Sequence, residues 1–296
     1  MSFNRVLAPT AAAAGAIGAA VFPGMALAQS TDSPLVLSFE GAVGTGDHAN
    51  AYGEAKLGSG FDAFQDDVAF VGSVGLSRSI NQDWDWSLSV SQLGYADNTV
   101  SGGGGSTSAS WTSDVSRSDV AFSFGRDIAL GSAKARLGLG LAYAKASAEK
   151  GLDVADLESG DFFRNNTNSD FQGIGPRVSF DVQSAPVSAN GKLSVIGGVE
   201  VNLLAGQYEH SKGFEAYVDE SPRQFDLAES AKGDMMTAGI KIGLQYDANE
   251  NTSFRAGVRH DVTRMDQVQV TGPASIAPVS VEDGRTSFFV GMNVGF

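Results

Sequence analysis

Residues 286–296, TSFFVGMNVGF, alternate between large apolar side chains and small or polar ones. Because successive side chains of a β-strand point to opposite faces, one face carries an apolar set: Phe288, Val290, Met292, Val294 and Phe296. A strand of about 9–11 residues with one apolar face has the length and pattern of a transmembrane β-strand. The stretch therefore predicts a barrel that crosses a membrane with strands.

The same alternation recurs in about ten stretches, separated in turn by short polar turns and long polar connections. Short turns are predicted near 81–83, 131–132, 188–191 and 247–251. Long connections are predicted at 45–64, 97–114, 149–168, 211–232 and 269–283. This asymmetry is typical of outer-membrane barrels, in which short turns face the periplasm and long loops face outside. We expect an all-β fold, an antiparallel up-and-down barrel of about ten strands, with eight or twelve as alternatives.

The amino-terminal segment has the pattern of a secretory signal. Arg5 precedes an Ala-rich apolar stretch that closes on Ala26-Leu27-Ala28, so we expect residues 1–28 to be cleaved and residues 29–296 to form the barrel. The chain contains no cysteine, which fits an exported protein that does not rely on disulfides.

The charge and hydropathy exclude several classes. The net charge of −14 argues against nucleic acid as a partner, because phosphates require Lys and Arg. After the signal, no window approaches about 18 consecutive apolar residues, so helical membrane spans are not expected.

Charged residues at inward-facing strand positions are the strongest functional candidates. A charge at mid-bilayer costs on the order of 2–4 kcal/mol, so strand charges should avoid the lipid face. The predicted lumen lining comprises Glu40, Lys134, Arg136, Arg177, Asp181, Glu200, Lys241, Arg255, Arg259 and Asp261. In a water-filled lumen these residues would set conductance and ion preference.

A packed interior is the open alternative, since narrow barrels can fill their bore with side chains that pair across it. Inward-facing small residues such as Ser87, Ser89, Gly138 and Gly239 favour open volume, although they also suit tight strand curvature. Aromatic side chains near strand ends, such as Trp84, Trp86 and Tyr208, are expected to anchor the barrel at the membrane interfaces.

Two resemblances refine this prediction. The terminal Phe296 resembles the assembly signal of outer-membrane barrels, which implies the barrel-assembly machinery as a partner. The segments 171–178 (FQGIGPRV) and 193–206 (LSVIGGVEVNLLAG) resemble the Legionella-type major outer-membrane protein family, most clearly in Gly-x-Gly-Pro-Arg at 173–177. This resemblance implies a pore-forming role, with Arg177 and Glu200 at lumen positions.

We find no sequence basis for an enzyme, a cofactor or a metal site. His260 and Asp261 are neighbours on one strand and face opposite ways, and His210 follows Glu209 without a nucleophile or paired-acid motif. The acidic stretches at 153–158 and 219–220 lack regular cation-ligand spacing. We expect a porin-like protein of the bacterial outer membrane, with membrane lipid and lipopolysaccharide as partners. The alternative is a non-conducting structural or adhesin-type barrel that acts through its extracellular loops.

Overall fold

In the computed structural model, the described residues are 34–46, 67–95, 98–270 and 276–296. They form eleven strands: β1 (Leu35–Gly46), β2 (Asp67–Ser79), β3 (Trp84–Tyr95), β4 (Asn98–Gly104), β5 (Thr107–Leu130), β6 (Ala133–Asp156), β7 (Phe162–Gln183), β8 (Leu193–Val218), β9 (Ser221–Asn249), β10 (Thr252–Val270) and β11 (Ile276–Gly295). The predicted signal peptide and positions 47–64 of the first predicted connection lie outside the described residues. Within the described ranges, no helix is long and apolar enough to cross a membrane.

The strands form one antiparallel sheet that closes on itself. Sequence neighbours pair around the ring, β11 pairs with β1, and β3 pairs with β5. The short β4 pairs with the far half of β5, beyond the part that β3 occupies, so β3 and β4 share one position. The ring therefore has ten positions, which confirms the predicted all-β barrel of about ten strands.

The strands are staggered by twelve residues around the ring. Following directly paired residues from Glu40 in one direction leads through β11 and β10 to Gln245 on β9. The other direction leads to Gly233 on the same strand, by way of Ser73, Ser91, Asp119, Ala144, Gly173 and Gly206. With the usual strand spacings, this stagger gives a strand tilt of about 40°.

The two ends of the ring differ, as the sequence predicts. One end, the short-turn end, carries the connections at 80–83, 131–132, 184–192 and 250–251. It also holds the start of β1 and the end of β11, joined by a hydrogen bond from Phe296 N to Leu35 O of 2.9 Å. The opposite end is the hairpin end.

Three of the long loops predicted at the hairpin end are wrong, because the structure has paired strands there. Most of 97–114, 149–168 and 211–232 is paired strand, and β8 and β9 are joined by only Asp219 and Glu220, both with positive φ. Within 269–283, β10 reaches Val270 and β11 starts at Ile276. The ladder continues because backbone hydrogen bonds between neighbouring strands do not depend on an apolar face.

An apolar belt surrounds the half of the ring nearest the short turns. Its outward side chains are more than one-third exposed and include Phe122, Leu139, Leu141, Ile174, Val178, Val199, Leu203, Ile240, Ile242, Phe254, Val258, Phe288 and Val290. Belt residues of β8 run from Leu193 to Ala205, which at a tilt of about 40° spans about 30 Å, enough for a bilayer core.

The belt has a sharp upper edge. Its last row across β5–β8 is Val120, Tyr143, Ile174 and Ala205, which pair directly in that order. The next row towards the hairpin end is Ser118, Lys145, Gln172 and Gln207. Because charged and amide groups need water or partners, this row marks the point where the hairpins leave the membrane.

The belt predicts that an arginine destabilises the barrel when it lies within the belt and has little effect above it. Val199→Arg, in the middle of the belt on β8, should lower the free energy of unfolding in lipid vesicles by about 2–4 kcal/mol. Glu209→Arg, on the same strand and face but above the belt, is the control and should change it by less than about 1 kcal/mol. Equal effects in denaturant titrations would contradict the placement of the belt.

Candidate functional site: the charged interior

The structure brings nine of the ten predicted lumen residues into ion pairs on the inner face of the ring. Each base reaches an acid on a different strand, as set out below. The tenth, Lys134, is exposed near the short-turn end, one row beyond Arg136 on β6.

The longest network is a chain of alternating charges. Glu200 accepts from Arg177 at 2.9 Å and from Arg259 at 3.1 Å. Arg259 also donates to Asp261 at 2.7 Å, and Asp261 accepts from Arg285 at 2.7 Å. This chain links β7, β8, β10 and β11 along the inner wall.

Three further groups of ion pairs continue the pattern around the ring. Glu40 on β1 lies 3.8 Å from both Arg255 and Arg259. Lys241 lies 2.9 Å from Asp181. Arg136 binds Asp85 on β3 with both its Nε and its Nη2, the Nε–Oδ2 distance being 2.6 Å.

Glycine occupies the strand between the two partners in several of these pairs. Gly198 pairs directly with both Asp181 and Lys241, and a Cβ at that position would lie 2.6 Å from Asp181 Oδ1. A Cβ on Gly125 would lie 2.3 Å from the Arg136 guanidinium carbon. The partners therefore reach across the intervening strand because it has no side chain there.

Gly239 and Gly291 repeat this arrangement on β9 and β11. Arg259 on β10 reaches Glu200 on β8 past Gly239, and Gly291 separates Glu40 from Arg255. Because these inward positions carry no side chain, the ion pairs lie flat against the wall.

Sequence reasoning missed Asp85, Arg117, Asp119 and Arg285. Asp85 shares the face of Ser87, Ser89 and Ser91, so alternation alone could have found it. Arg117 and Arg285 lie just outside the segments predicted as loops, where no face was assigned.

A cluster of polar side chains crosses the bore of the ring. Arg117 on β5 donates from Nη1 to Thr263 Oγ1 on β10 at 2.6 Å, and these strands lie five positions apart in either direction. Arg117 also donates to Asp119 at 2.9 Å. Tyr95 on β3 donates to Asp283, the direct neighbour of Thr263. We name Tyr95, Arg117, Asp119, Thr263 and Asp283 the cross-bore cluster.

Buried apolar side chains line the inner wall near the same level. Phe171, Leu204, Tyr208, Met235 and Met265 pack together with alanines of β5 and β6. The Phe171 and Tyr208 ring centroids are 4.8 Å apart. The expected interfacial role of Tyr208 is wrong, since its side chain points inward and is buried. Cα atoms of β7 and β10, three positions apart, approach within 8 Å, so the bore is pinched.

Water contact with the charged residues falls with distance from the short turns. Asp181 and Lys241 side chains are 36% and 29% exposed, whereas Asp261 and Arg285 are 7% and 3% exposed. The interior is thus accessible to solvent on the short-turn side and narrows to a constriction of buried side chains.

Beyond the constriction the inner face is polar and buried. His210 stacks on Tyr208 with ring centroids 5.4 Å apart, and its Nδ1 lies 3.2 Å from Ser169 Oγ. Burial lowers the pKa of His210 and of Lys212. Glu209 faces the opposite side of β8, so it does not pair with His210. The described residues contain no group of three or more His, Cys, Asp or Glu side chains that could hold a metal ion.

Comparison with known proteins identifies the family of this barrel. Residues 55–258 match the family model of the Legionella pneumophila major outer membrane protein precursor. The chain belongs to this family. Membership confirms the resemblance carried by residues 171–178 and 193–206, and it places the protein in the bacterial outer membrane. No curated protein matches the chain.

The chain is similar to solved structures of other outer-membrane proteins at low identity. The outer membrane protease OmpT from Escherichia coli is 10% identical, with 90% of this chain and 95% of that chain covered and a TM-score of 0.44. A major outer membrane protein from Thermus thermophilus is 10% identical, with 88% and 99% covered and a TM-score of 0.37.

The close contacts around these glycines predict that a methyl group added at one of them destabilises the barrel. Gly125→Ala should displace Arg136 from Asp85 and lower the free energy of unfolding by about 1–3 kcal/mol, as overpacking does. Gly75→Ala is the control: it also faces inward, but its Cβ would find only ordinary contacts, the nearest at 3.5 Å. Denaturant titration of both refolded variants would show the difference, and equal stabilities would contradict the proposed role of Gly125.

Proposed function

We propose that this family member is a narrow porin-like barrel, through which ions and small hydrophilic solutes diffuse passively along the charged inner wall. The observation that carries the proposal is the set of partly solvent-exposed ion pairs inside a ring with a membrane-spanning belt. Because glycines let these pairs lie flat, the charges line a passage without filling it.

The ion preference of such a passage should be weak. Its described wall and constriction carry seven bases, Arg117, Arg136, Arg177, Lys241, Arg255, Arg259 and Arg285, and seven acids, Glu40, Asp85, Asp119, Asp181, Glu200, Asp261 and Asp283. Paired charges of both signs present a nearly neutral field to a passing ion, so we expect little preference between cations and anions.

The cross-bore cluster would limit the flux. The bond from Arg117 to Thr263 crosses the full ring, so solutes pass only when the guanidinium swings aside. We therefore infer low conductance at rest.

A non-conducting structural or adhesin-type barrel is the second candidate. The same cross-bore bond favours it, together with the buried apolar residues beside the pinch. In that case the paired hairpins above the belt would form the binding surface. Under either proposal the barrel is no enzyme, and its partners are outer-membrane lipid, lipopolysaccharide and the barrel-assembly machinery at Phe288, Val290, Met292, Val294 and Phe296.

Single-channel recording in planar bilayers distinguishes the porin-like barrel from the non-conducting one. The wild type should give small steps, and Arg117→Ala should raise their conductance several-fold, because it removes the group that crosses the bore. Arg164→Ala, which removes an exposed ion-paired residue at the hairpin end, is the control and should leave conductance unchanged.

Charge reversal on the wall tests the pathway. Arg177→Glu and Arg259→Glu should shift the reversal potential in a salt gradient towards cation preference, with Arg259→Gln shifting it less. Silent bilayers from the folded wild type and from folded Arg117→Ala would overturn the porin proposal in favour of the second candidate.

A further inference from the structure

A polar groove lies on the outer face of β5, β6, β7 and β8, above the apolar belt. It has a volume of about 580 Å³. Its lower row consists of Asp114, Glu149, Asn168 and Ser211, which pair directly across the four strands. Its upper row consists of Thr112, Gly151, Asn166 and Gly213, paired in the same way.

The upper row contains two glycines with different surroundings. A Cβ on Gly151 would lie 2.5 Å from Thr112 Oγ1 and 3.1 Å from Asn166 Oδ1, so these two side chains converge over Gly151 and occupy the space there. A Cβ on Gly213 would have its nearest neighbour at 3.5 Å, Asp226 Oδ1, so the floor of the groove is open at Gly213. A ligand can therefore approach the strand backbone at Gly213, beside its direct neighbour Asn166.

The groove offers hydrogen-bonding groups that the described part of the barrel does not use. The side chains of Thr112, Glu149, Asn166 and Ser211 are exposed and form no hydrogen bond or ion pair with other described residues. Together they provide hydroxyl, amide and carboxylate groups, which can both donate to and accept from a polyhydroxylated ligand.

The charge of the groove argues against an anionic ligand. Asp114 and Glu149 pair directly across β5 and β6, and two facing carboxylates repel phosphate and each other. Sugar hydroxyls, in contrast, can donate to both carboxylates. Lys150 also borders the groove.

The height of the groove fits the sugar layer of the membrane. Its rows are the third and fourth above the last belt row, Val120, Tyr143, Ile174 and Ala205. Rows two residues apart rise by about 5 Å at a tilt of about 40°, which places the groove about 15–20 Å above the apolar belt. Its two rows of side chains lie on the outer face of the ring and do not enter the bore.

We propose that this groove binds the neutral saccharide headgroup of a glycolipid in the surrounding outer leaflet. Thr112 and Asn166 hold the sugar through their hydroxyl and amide groups, Glu149 accepts from its hydroxyls, and the open floor at Gly213 gives it room. The site requires the hairpin end to face outside, as the loop asymmetry predicts. It is independent of conduction through the bore.

Calorimetric titration of the refolded full barrel with a neutral, phosphate-free hexose oligosaccharide tests the site. Wild type should bind saturably. The double variant Thr112→Ala/Asn166→Ala should bind at least about tenfold more weakly, because the hydrogen bonds of two side chains to the sugar are lost. Gly213→Leu, which fills the open floor, should lose binding to the same degree. Gln207→Ala, two rows below the groove on the same face, should bind as wild type does.

Three results would overturn the proposal. They are no binding of the free oligosaccharide, equal binding by all variants, and binding of intact lipopolysaccharide only, unaffected by the groove variants. The last result would mean attachment through the lipid part. Conductance of the double variant should equal that of wild type, which separates this site from the proposed pore.

Discussion

Pairing of charge inside a narrow ring is the constraint on which this structure depends. A ring of ten positions is little wider than the eight-stranded barrels whose side chains fill the bore, and an unpaired charge there would lose hydration without compensation. Each wall base therefore lies within reach of an acid, as Lys241 does with Asp181. Because partners usually lie two strands apart, the strand between them must carry a small residue, and the charged pattern fixes where glycine is needed.

The need for a small residue between ion-pair partners changes how the inward glycines are interpreted. Gly138 and Gly239 suggest open volume when the sequence is considered one strand at a time. In the folded ring their neighbours fill that volume: a Cβ on Gly138 would lie 2.4 Å from Ser179 Oγ, and one on Gly239 would lie 2.6 Å from Asp261 Oδ1. Small residues in this barrel wall thus leave space for the long side chains of adjacent strands. Their number is therefore no measure of the width of a pore.

Alternation predicted the ring, the short turns and the inward face of nine paired charges, because the belt imposes a strict period of two. It failed above the belt, where Gln207 and Glu209 face water on one side and Tyr208 and His210 are buried on the other. Both faces there carry polar groups, so strand and loop have similar composition. The contact of Arg117 with Thr263 joins positions 146 residues apart, and no local pattern encodes it.

The ion pairs of the inner wall are stronger than the hydrogen bond that crosses the bore. Arg259 contacts Glu200, Asp261 and Glu40 at once, so it cannot leave the wall without breaking several charge-assisted contacts. Arg117 crosses to a neutral hydroxyl, a bond of about 1.5–3 kcal/mol, and keeps its partner Asp119 when that bond opens. Because a difference of about 1.4 kcal/mol is a factor of ten in population, rupture of this bond alone would occur in about one molecule in ten to one in a hundred. Under the proposed porin function, brief opening of this bond would give a low average conductance while the lining stays intact.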